Sequence, residues 1–207
     1  MIAKLSGALL ALLLLAGCST ANPVEQLAPS PTPTPSQLPQ TFQGTITDAS
    51  VQPASVPTVA PVRVQVPSVG INIESFPVGV QPDGLMELPE NIFVAGWYRF
   101  GSDPTSDAGT TVISAHVDDF AQGLGPFASL KQLAPGAEII VTAADGIAYR
   151  YAVESVQNVN RQQLPVDQVF DRTGAPRLVL ITCGGQFDDN VFEYSDNVVV
   201  VATPIST

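Results

Sequence analysis

The stretch Leu178–Gly185, LVLITCGG, is a run of apolar residues that ends in a threonine, a cysteine and two glycines. A short run rich in Leu, Val, Ile and Thr predicts a β-strand, here over Leu178–Thr182. Because a strand end is a rigid mount, we expect Cys183 to be held in a fixed place. Gly184 and Gly185 would let another backbone pass close and leave N–H groups available to a negatively charged oxygen.

Other short runs rich in Val, Ile, Thr or Tyr surround this stretch, separated by turn residues such as those of Pro82–Gly84 and Gly174–Pro176. They predict further strands over Val62–Val66, Val69–Phe76, Thr110–Ala115, Glu138–Ala143, Ala148–Val156 and Asn197–Ala202. The helical pattern is sparse, and Phe127–Leu133 is the best short helix candidate. Many short strands at this spacing are typical of a sandwich or a barrel. We therefore predict an all-β domain over residues 62–204.

The N-terminus has the features of an export signal. One lysine precedes an apolar run over Ala8–Ala16, which is too short to span a membrane as a helix. Leu15–Cys18, LAGC, resembles a bacterial lipobox, which implies cleavage before Cys18 and lipidation of its thiol. We predict a lipoprotein signal peptide over residues 1–17 and a lipid anchor at the outer face of the cell membrane. The alternative is an ordinary signal peptide cut near Ala21, with Cys18 discarded.

Residues 18–61 have the composition of a linker. Proline alternates with small hydroxyl residues over Pro29–Pro35. A segment of this kind cannot bury a hydrophobic core and adopts an extended, polyproline-like conformation. We predict a disordered Pro/Thr-rich spacer that begins at the lipidated Cys18 and holds the folded domain away from the membrane.

The charge balance excludes one class of partner. The 207 residues include 8 Lys and Arg against 19 Asp and Glu, which gives a net charge of −11. Nucleic-acid binding requires clustered basic residues that neutralise phosphates, and the sequence has no such cluster. The single histidine and the scattered acidic residues show no metal-ligand spacing, so we predict neither a metal ion nor a cofactor.

Cys183 and His116 are the candidate catalytic residues. If Cys18 carries lipid, Cys183 is the only free thiol of an exported protein, and it is then either a buried filler or a nucleophile. His116, the sole histidine, follows a predicted strand just as Cys183 does. An imidazolium beside a thiol lowers the pKa of the thiol and later donates a proton to a leaving amine. Asp118 and Asp119 either orient this imidazole or lie solvated in a loop.

Four short motifs occur in order along the predicted domain. They are Val66–Ile71 in the opening strands, Ala115–Asp118 around the histidine, Thr182–Gly185 around the cysteine, and Tyr194–Val200 in the last strand. Together they resemble the sortase family, and among its classes they are most similar to the actinobacterial classes E and F, above all to class F. The resemblance implies an eight-stranded β-barrel with one or two short helices, in which the cysteine and the histidine lie at neighbouring strand ends.

The resemblance also implies an activity. Sortases are cysteine transpeptidases that cleave a sorting-signal peptide, typically between Thr and Gly, and transfer the thioacyl intermediate to an amine. Carried onto this chain, the resemblance makes Cys183 the nucleophile and His116 its acid/base partner. The predicted partners are therefore a sorting-signal peptide and an amine acceptor, besides the membrane reached through the lipid. The candidates for supporting roles are Asp118, Thr182, Gly184 and Ser195.

One position departs from the family pattern. Sortases carry an arginine directly before an Asp-Asn pair of the last strand, and here Ser195 precedes Asp196 and Asn197. A serine hydroxyl cannot replace a forked, permanently charged donor. Three interpretations stay open: an arginine enters from a loop, the enzyme is slow, or the domain is a peptide-binding module without catalysis. A thiol hydrolase, in which water replaces the amine, is a further alternative. The arginines that could enter are Arg99, Arg161 and Arg172.

The predicted lipid anchor is tested by the substitution Cys18→Ser. Because the thioether needs the cysteine sulfur, we expect the variant either to leave the membrane fraction or to remain an unprocessed precursor. Membrane fractionation and the mass of the intact protein measure both effects. Unchanged fractionation together with an unchanged mass would contradict the lipobox interpretation.

Overall fold

The computed structural model describes residues 58–205. The predicted signal peptide over 1–17, the lipidation of Cys18 and nearly all of the predicted spacer over 18–61 lie outside the described residues. No helix within the described range is long and apolar enough to cross a membrane. The strands are β1 (Pro61–Val66), β2 (Ile71–Val78), β3 (Val94–Tyr98), β4 (Thr110–Ser114), β5 (Asp118–Asp119), β6 (Gly123–Leu124), β7 (Glu138–Ala143), β8 (Ala148–Asn160), β9 (Arg177–Asp188) and β10 (Glu193–Pro204).

Eight of these strands close into a barrel in the order β1-β2-β3-β4-β9-β10-β8-β7, with β7 paired to β1. Most neighbours are antiparallel, whereas β2 pairs with β3 and β4 pairs with β9 in parallel. The two short strands β5 and β6 form a separate hairpin. The prediction of an all-β, eight-stranded barrel is confirmed.

The inside of the barrel is filled by one apolar cluster to which all eight barrel strands contribute. Alternation along each strand turns every second side chain inward, as the strand period of two requires. In β9 these are Leu178 and Leu180, both fully buried, and in β10 they are Val198, Val200 and Ala202. Interior side chains of a small barrel pack against each other and leave no channel.

A second apolar cluster covers the outer face of β4, β9 and β10. It consists of Val112, Val179, Ile181 and Val199 with Val169, which belongs to the single α-helix described, α1 (Val166–Val169). Strands covered on both faces are apolar at successive positions and do not alternate. This double burial is why Leu178–Thr182 is an unbroken apolar run.

Apart from α1, the described helices are 3-10 helices, over Pro67–Val69, Pro126–Gln132 and Arg161–Gln163. The second of them corresponds to the predicted helix at Phe127–Leu133. Phe127 and Leu130 are fully buried in the inner cluster. Side chains three residues apart eclipse each other in a 3-10 helix, so both apolar side chains share the face that meets the barrel.

The strand predictions were wrong in several respects. β3, β5 and β6 were not predicted, β2 begins at Ile71, β8 continues to Asn160 and β10 begins at Glu193. β9 continues for six residues beyond Thr182, to Asp188. Cys183 therefore lies within a strand and not at its end. The reason is the pairing with β10, which continues as far as Asp188 opposite Glu193, although the side chains beyond Gly184 are exposed. Backbone pairing sustains this outer part of the hairpin without a buried apolar face.

Leu180 tests the inner cluster. Because its side chain is fully buried, we expect Leu180→Ala to lower the free energy of unfolding by about 2–5 kcal/mol through lost burial and a residual cavity. Leu85, whose side chain is 55% exposed, is the matched control, and Leu85→Ala should stay within about 0.5 kcal/mol of the wild type. Urea denaturation followed by circular dichroism measures both. Equal destabilisation by the two substitutions would contradict the assigned core.

Candidate active site

The parallel pairing of β4 with β9 brings the segments that carry His116 and Cys183 together. The last pair in the register is Ser114 with Ile181. Beyond it, the Ala115 N–H donates to the Ile181 carbonyl at 3.4 Å. Continuing the parallel register by two residues brings His116, just beyond the end of β4, level with Cys183 within β9.

Two buried hydroxyl groups fasten these segments to each other. The Ser114 hydroxyl donates to the Ile181 carbonyl at 2.9 Å, and the Thr182 hydroxyl donates to the Ala115 carbonyl at 2.7 Å. The second bond lies one residue before both His116 and Cys183. A buried carbonyl left without a donor would cost about 1–3 kcal/mol, so the two hydroxyls hold the backbone in this register. Thr182 thereby ties the segment of Cys183 to that of His116.

Strand alternation also assigns both side chains to one face. Val179 and Ile181 pack in the outer cluster, so the period of two turns Cys183 to the outer face as well. Ala115 belongs to the inner cluster, and His116, the next residue, points outward by the same reasoning. Both the thiol and the imidazole are half-buried. The backbone register thus puts the two residues on adjacent segments, at one level and on one face of the sheet.

The surroundings of Cys183 favour the protonated thiol. Burial raises the pKa of Cys183, the positive charge of Arg161 opposes this shift, and the negative charge of Asp118 adds to it. Within the described residues, the Cys183 thiol forms no disulfide. Near neutral pH it is therefore mostly protonated, so a thiolate forms only when a base or an additional positive charge acts on it.

Asp118 is held by Tyr194, a contact that was not predicted from the sequence. The Tyr194 hydroxyl donates to Asp118 Oδ2 at 2.5 Å, across 76 residues of sequence. Burial and this hydrogen bond raise the pKa of Tyr194 to about 12, so the phenol remains a donor under physiological conditions. Asp118 is thus half-buried, with one carboxylate oxygen engaged by Tyr194. No local sequence pattern signals a contact of this range.

A groove of about 760 Å³ opens beside Cys183. It is lined by the middle of β9, by residues of β10 and by the 3-10 helix Pro126–Gln132. The lining includes Val117 and Asp118 but, among the described residues, not His116. Around the thiol, the groove is lined by residues of β9 and of the paired strands β10 and β8: Thr182, Gly184, Gly185, Tyr194, Val198 and Asn158.

The two glycines after Cys183 are required by packing against β10. A Cβ atom on Gly184 would lie 2.8 Å from Val198 Cγ2. Gly185 has φ +77°, and a Cβ there would lie 2.2 Å from Ser195 Oγ. Both positions exclude larger residues for reasons within the fold. Packing within the fold thus explains the two glycines, in addition to the close approach of a substrate backbone expected from the sequence.

Ser195 lies where the pairing of β9 with β10 is irregular. Between the pairs Tyr194–Phe187 and Asp196–Gly184, one residue of β10 faces two residues of β9, which is the pattern of a β-bulge. The exposed Ser195 accepts a hydrogen bond through its hydroxyl oxygen from the Gln186 N–H at 3.0 Å. Its hydroxyl therefore closes the bulge.

The three arginines considered from the sequence lie in two different places. Arg172 donates to the Tyr98 hydroxyl at 3.4 Å, and Arg99 lies over the ring of Phe100 at 4.9 Å from its centroid. Tyr98 packs edge to face against that same Phe100 ring, so both arginines belong to one aromatic surface. Arg161, in contrast, is ion-paired with Glu193 and contributes to the field at Cys183.

Trp97 and Tyr98 are packing residues in this structure. Trp97 is 2% exposed, and its indole N–H donates to the Ser102 carbonyl at 3.1 Å. Tyr98 packs edge to face on Phe170 at 5.0 Å between ring centroids. Neither lines the groove beside Cys183. Among the described residues, no group of three or more His, Cys, Asp or Glu is arranged to hold a metal ion.

Comparison with known proteins decides the family. The sortase-domain profile matches residues 64–205, more than half of the chain. This chain belongs to the sortase family. Sortases are cysteine transpeptidases that act on sorting-signal peptides and amines. No curated protein sequence matches the chain.

Solved sortase structures share the barrel. Sortase C-1 from Actinomyces oris superposes with a TM-score of 0.54 at 19% identity, over 71% of this chain and 76% of that chain. Group B Streptococcus Pilus Island 1 sortase C2 gives 0.53 at 21% identity, over 70% and 73%. The complex of Streptococcus agalactiae sortase C1 with MTSET gives 0.54 at 18% identity, over 70% and 67%. These three are class C sortases, and at such identities the likeness shows the fold alone.

Asp118 provides a test of the electrostatics at the thiol. The variant Asp118→Asn removes a negative charge that disfavours the thiolate, and Asn can still accept the hydrogen bond from Tyr194. We therefore expect a lower pKa of Cys183 and faster alkylation at neutral pH. Iodoacetamide alkylation measured against pH, in full-length protein carrying Cys18→Ser so that Cys183 is the only cysteine, gives the midpoint.

The matched control is Asp145→Asn. Asp145 precedes β8 and contacts Tyr149, whereas Arg161 follows the other end of the same strand. Its substitution should leave the midpoint unchanged. A midpoint that stays in place, or moves to higher pH, in Asp118→Asn would contradict the assigned effect of the carboxylate.

Proposed function

We propose that this chain is a sortase-type cysteine transpeptidase in which Cys183 is the nucleophile and His116 its acid/base partner. The observation that carries the proposal is the pinned parallel register of β4 and β9. It joins the segments of the sole histidine and of Cys183 through the Thr182 hydroxyl and the Ala115 carbonyl, 2.7 Å apart. Within a family of cysteine transpeptidases, this pair is the one set of groups in the described chain suited to thiolate chemistry.

The first half of the reaction forms a thioacyl enzyme. His116 takes the proton of Cys183, and the thiolate attacks the carbonyl carbon of the scissile peptide bond. A C–S bond forms while the carbonyl electron pair moves to the oxygen. When the oxyanion collapses, the C–N bond breaks and the leaving amine takes the proton from His116. The product is a thioester on Cys183 and a free amine fragment.

The second half transfers the acyl group. The incoming amine attacks the thioester carbon, and His116 accepts one proton from the amine nitrogen. The tetrahedral intermediate collapses, the C–S bond breaks, and an amide remains on the new partner. The thiolate of Cys183 then recovers its proton from His116. The groove beside Cys183, about 760 Å³ in volume, would hold an extended peptide on its acyl side.

The finer assignment and the location belong to the same proposal. The four sequence motifs are most similar to class F, and the lipobox at Leu15–Cys18 supports a lipid anchor at the outer face of the cytoplasmic membrane. A lipid on Cys18 and a Pro/Thr-rich spacer would give the domain reach toward substrates that emerge at that surface. The substrate would be a sorting-signal peptide, and the acceptor an amine.

One observation favours a second candidate, a peptide-binding module without catalysis. Burial raises the pKa of Cys183, and a sluggish thiol is what such a module would retain. Ser195 in place of the family arginine points the same way. Hydrolysis of the thioester by water is the other outcome that the same site would allow.

Mass spectrometry on a peptide library tests the proposal. Full-length protein carrying Cys18→Ser is incubated with the library and an amine nucleophile. We expect cleaved peptides and peptide–amine conjugates, both abolished in Cys183→Ala, because that variant has no thiol to acylate. MTSET, with which Streptococcus agalactiae sortase C1 was crystallised, should block the reaction by modifying Cys183.

The products separate the candidates. Conjugates with the amine support the transpeptidase, and cleaved peptides without conjugates support the hydrolase. If the protein and Cys183→Ala show the same background across the library, the catalytic function is wrong and the binding module is preferred. The control Ser155→Ala, on the β8 strand away from the groove, should behave as the starting protein.

A further inference from the structure

An arginine lies near the position that the family fills with an arginine, directly after the neighbouring strand β8. β10 and β8 pair with Asp196 opposite Asn160. Ser195 and Arg161 are the next residues along the two segments, and Arg161 begins the 3-10 helix Arg161–Gln163. The guanidinium of Arg161 reaches the start of β10, where it pairs with Glu193, two residues before Ser195.

Both residues face the same cavity. Arg161 and Ser195 line a concave surface of about 560 Å³, next to the groove beside Cys183. Tyr194 lines both cavities. Ser195 is exposed and small, so it leaves room for the longer side chain across from it.

An ion pair holds Arg161 in this place. Its Nη1 contacts Glu193 Oε2 at the start of β10, and this bond raises the pKa of Arg161 while it lowers that of Glu193. A guanidinium has five N–H donors in a fixed fork, so one bond to Glu193 leaves four donors. Arg161 is therefore fixed in position and still able to bind a second negative group.

The charge of Arg161 acts on Cys183. Burial raises the pKa of the thiol, and Arg161 supplies the one interaction identified as lowering it, against the opposing charge of Asp118. The field also acts in the other direction, since a thiolate at Cys183 raises the pKa of Arg161. Arg99 and Arg172 lie on the aromatic surface around Tyr98 and do not contribute to this shift.

We propose that Arg161 is a catalytic residue that replaces the family arginine from the 3-10 helix after the adjacent strand β8, stabilising the Cys183 thiolate and the oxyanion of the acyl transfer. This inference rests on the transpeptidase function proposed above. The thiolate carries one negative charge before attack, and the same charge moves to the carbonyl oxygen when the C–S bond forms. In this role the guanidinium stabilises the charge first on the sulfur and then on the oxygen. It donates hydrogen bonds without giving up a proton, so His116 still performs the proton transfers.

The first arm of the test needs no substrate turnover. The experiment uses full-length protein carrying Cys18→Ser. It compares the rates at which Cys183 is modified by cationic MTSET and by an anionic sulfonatoethyl methanethiosulfonate. We expect Arg161→Gln to lower the anionic-to-cationic rate ratio several-fold and to move the alkylation midpoint to higher pH. Arg161→Lys should keep the ratio, because it keeps the charge. Arg172→Ala is the matched control and should change neither quantity.

The second arm measures peptide turnover. We expect Arg161→Gln to lower kcat about 100- to 1000-fold with a smaller change in KM, which is the scale for one lost oxyanion donor. Arg161→Lys should recover only part of kcat, since an ammonium lacks the fork. Adding Ser195→Arg to Arg161→Gln should raise kcat at least tenfold above that of Arg161→Gln. Ser195→Arg alone should leave kcat unchanged or lower it, because two guanidinium groups would repel each other. Thermal unfolding confirms that each variant is folded.

The outcomes separate this inference from the function on which it rests. If Arg161→Gln matches Arg172→Ala in the reagent ratio and in kcat, Arg161 is not the cation of the site and the inference is wrong. If the starting protein turns over no peptide, the transpeptidase function and the oxyanion role both fail. The reagent ratio then still decides whether Arg161 stabilises the thiolate.

Discussion

The parallel pairing of β4 with β9, fastened by the Thr182 hydroxyl on the Ala115 carbonyl, is the constraint on which the site depends. Parallel neighbours cannot be joined by a tight turn, so this pairing must be held by contacts between distant segments. The buried hydroxyls supply donors that a plain apolar strand lacks. A shift of one residue in this register would turn every side chain of one strand to the other face. His116 and Cys183 would then lie on opposite sides of the sheet.

The same strand explains why the thiol is hard to ionise. β9 is buried on both faces as far as Thr182, becomes half-buried at Cys183 and Gly184, and is exposed beyond Gly184. Cys183 stands at the boundary between the core and the exposed hairpin. The core fixes the backbone beneath the thiol, and the same burial raises its pKa. Rigid placement and ready ionisation therefore oppose each other here, and a positive charge is needed to offset the cost of burial.

The sequence allowed the fold class, and in outline the strands, to be predicted, because most strands carry their own pattern. β7 lies at Glu138–Ala143 as predicted. β3 escaped prediction since Gly96 interrupts it, and the glycine is needed because a Cβ there would lie 2.9 Å from Val78. The pairing of Tyr194 with Asp118 and the juxtaposition of Arg161 with Ser195 depend on strand register. Register follows from the closed barrel and not from any local run of residues.

The shortage of positive charge makes the placement of each arginine informative. The chain has 8 Lys and Arg against 19 Asp and Glu, so the average field opposes a thiolate anywhere on the domain. At Cys183 that field is set locally by Asp118, which Tyr194 keeps in place, and by Arg161, which Glu193 keeps in place. Each charge is held by a partner on β10. The hairpin of β9 and β10 thus fixes the thiol together with both charges that govern its ionisation, so a change in this hairpin alters the reactivity of Cys183 without touching the thiol itself.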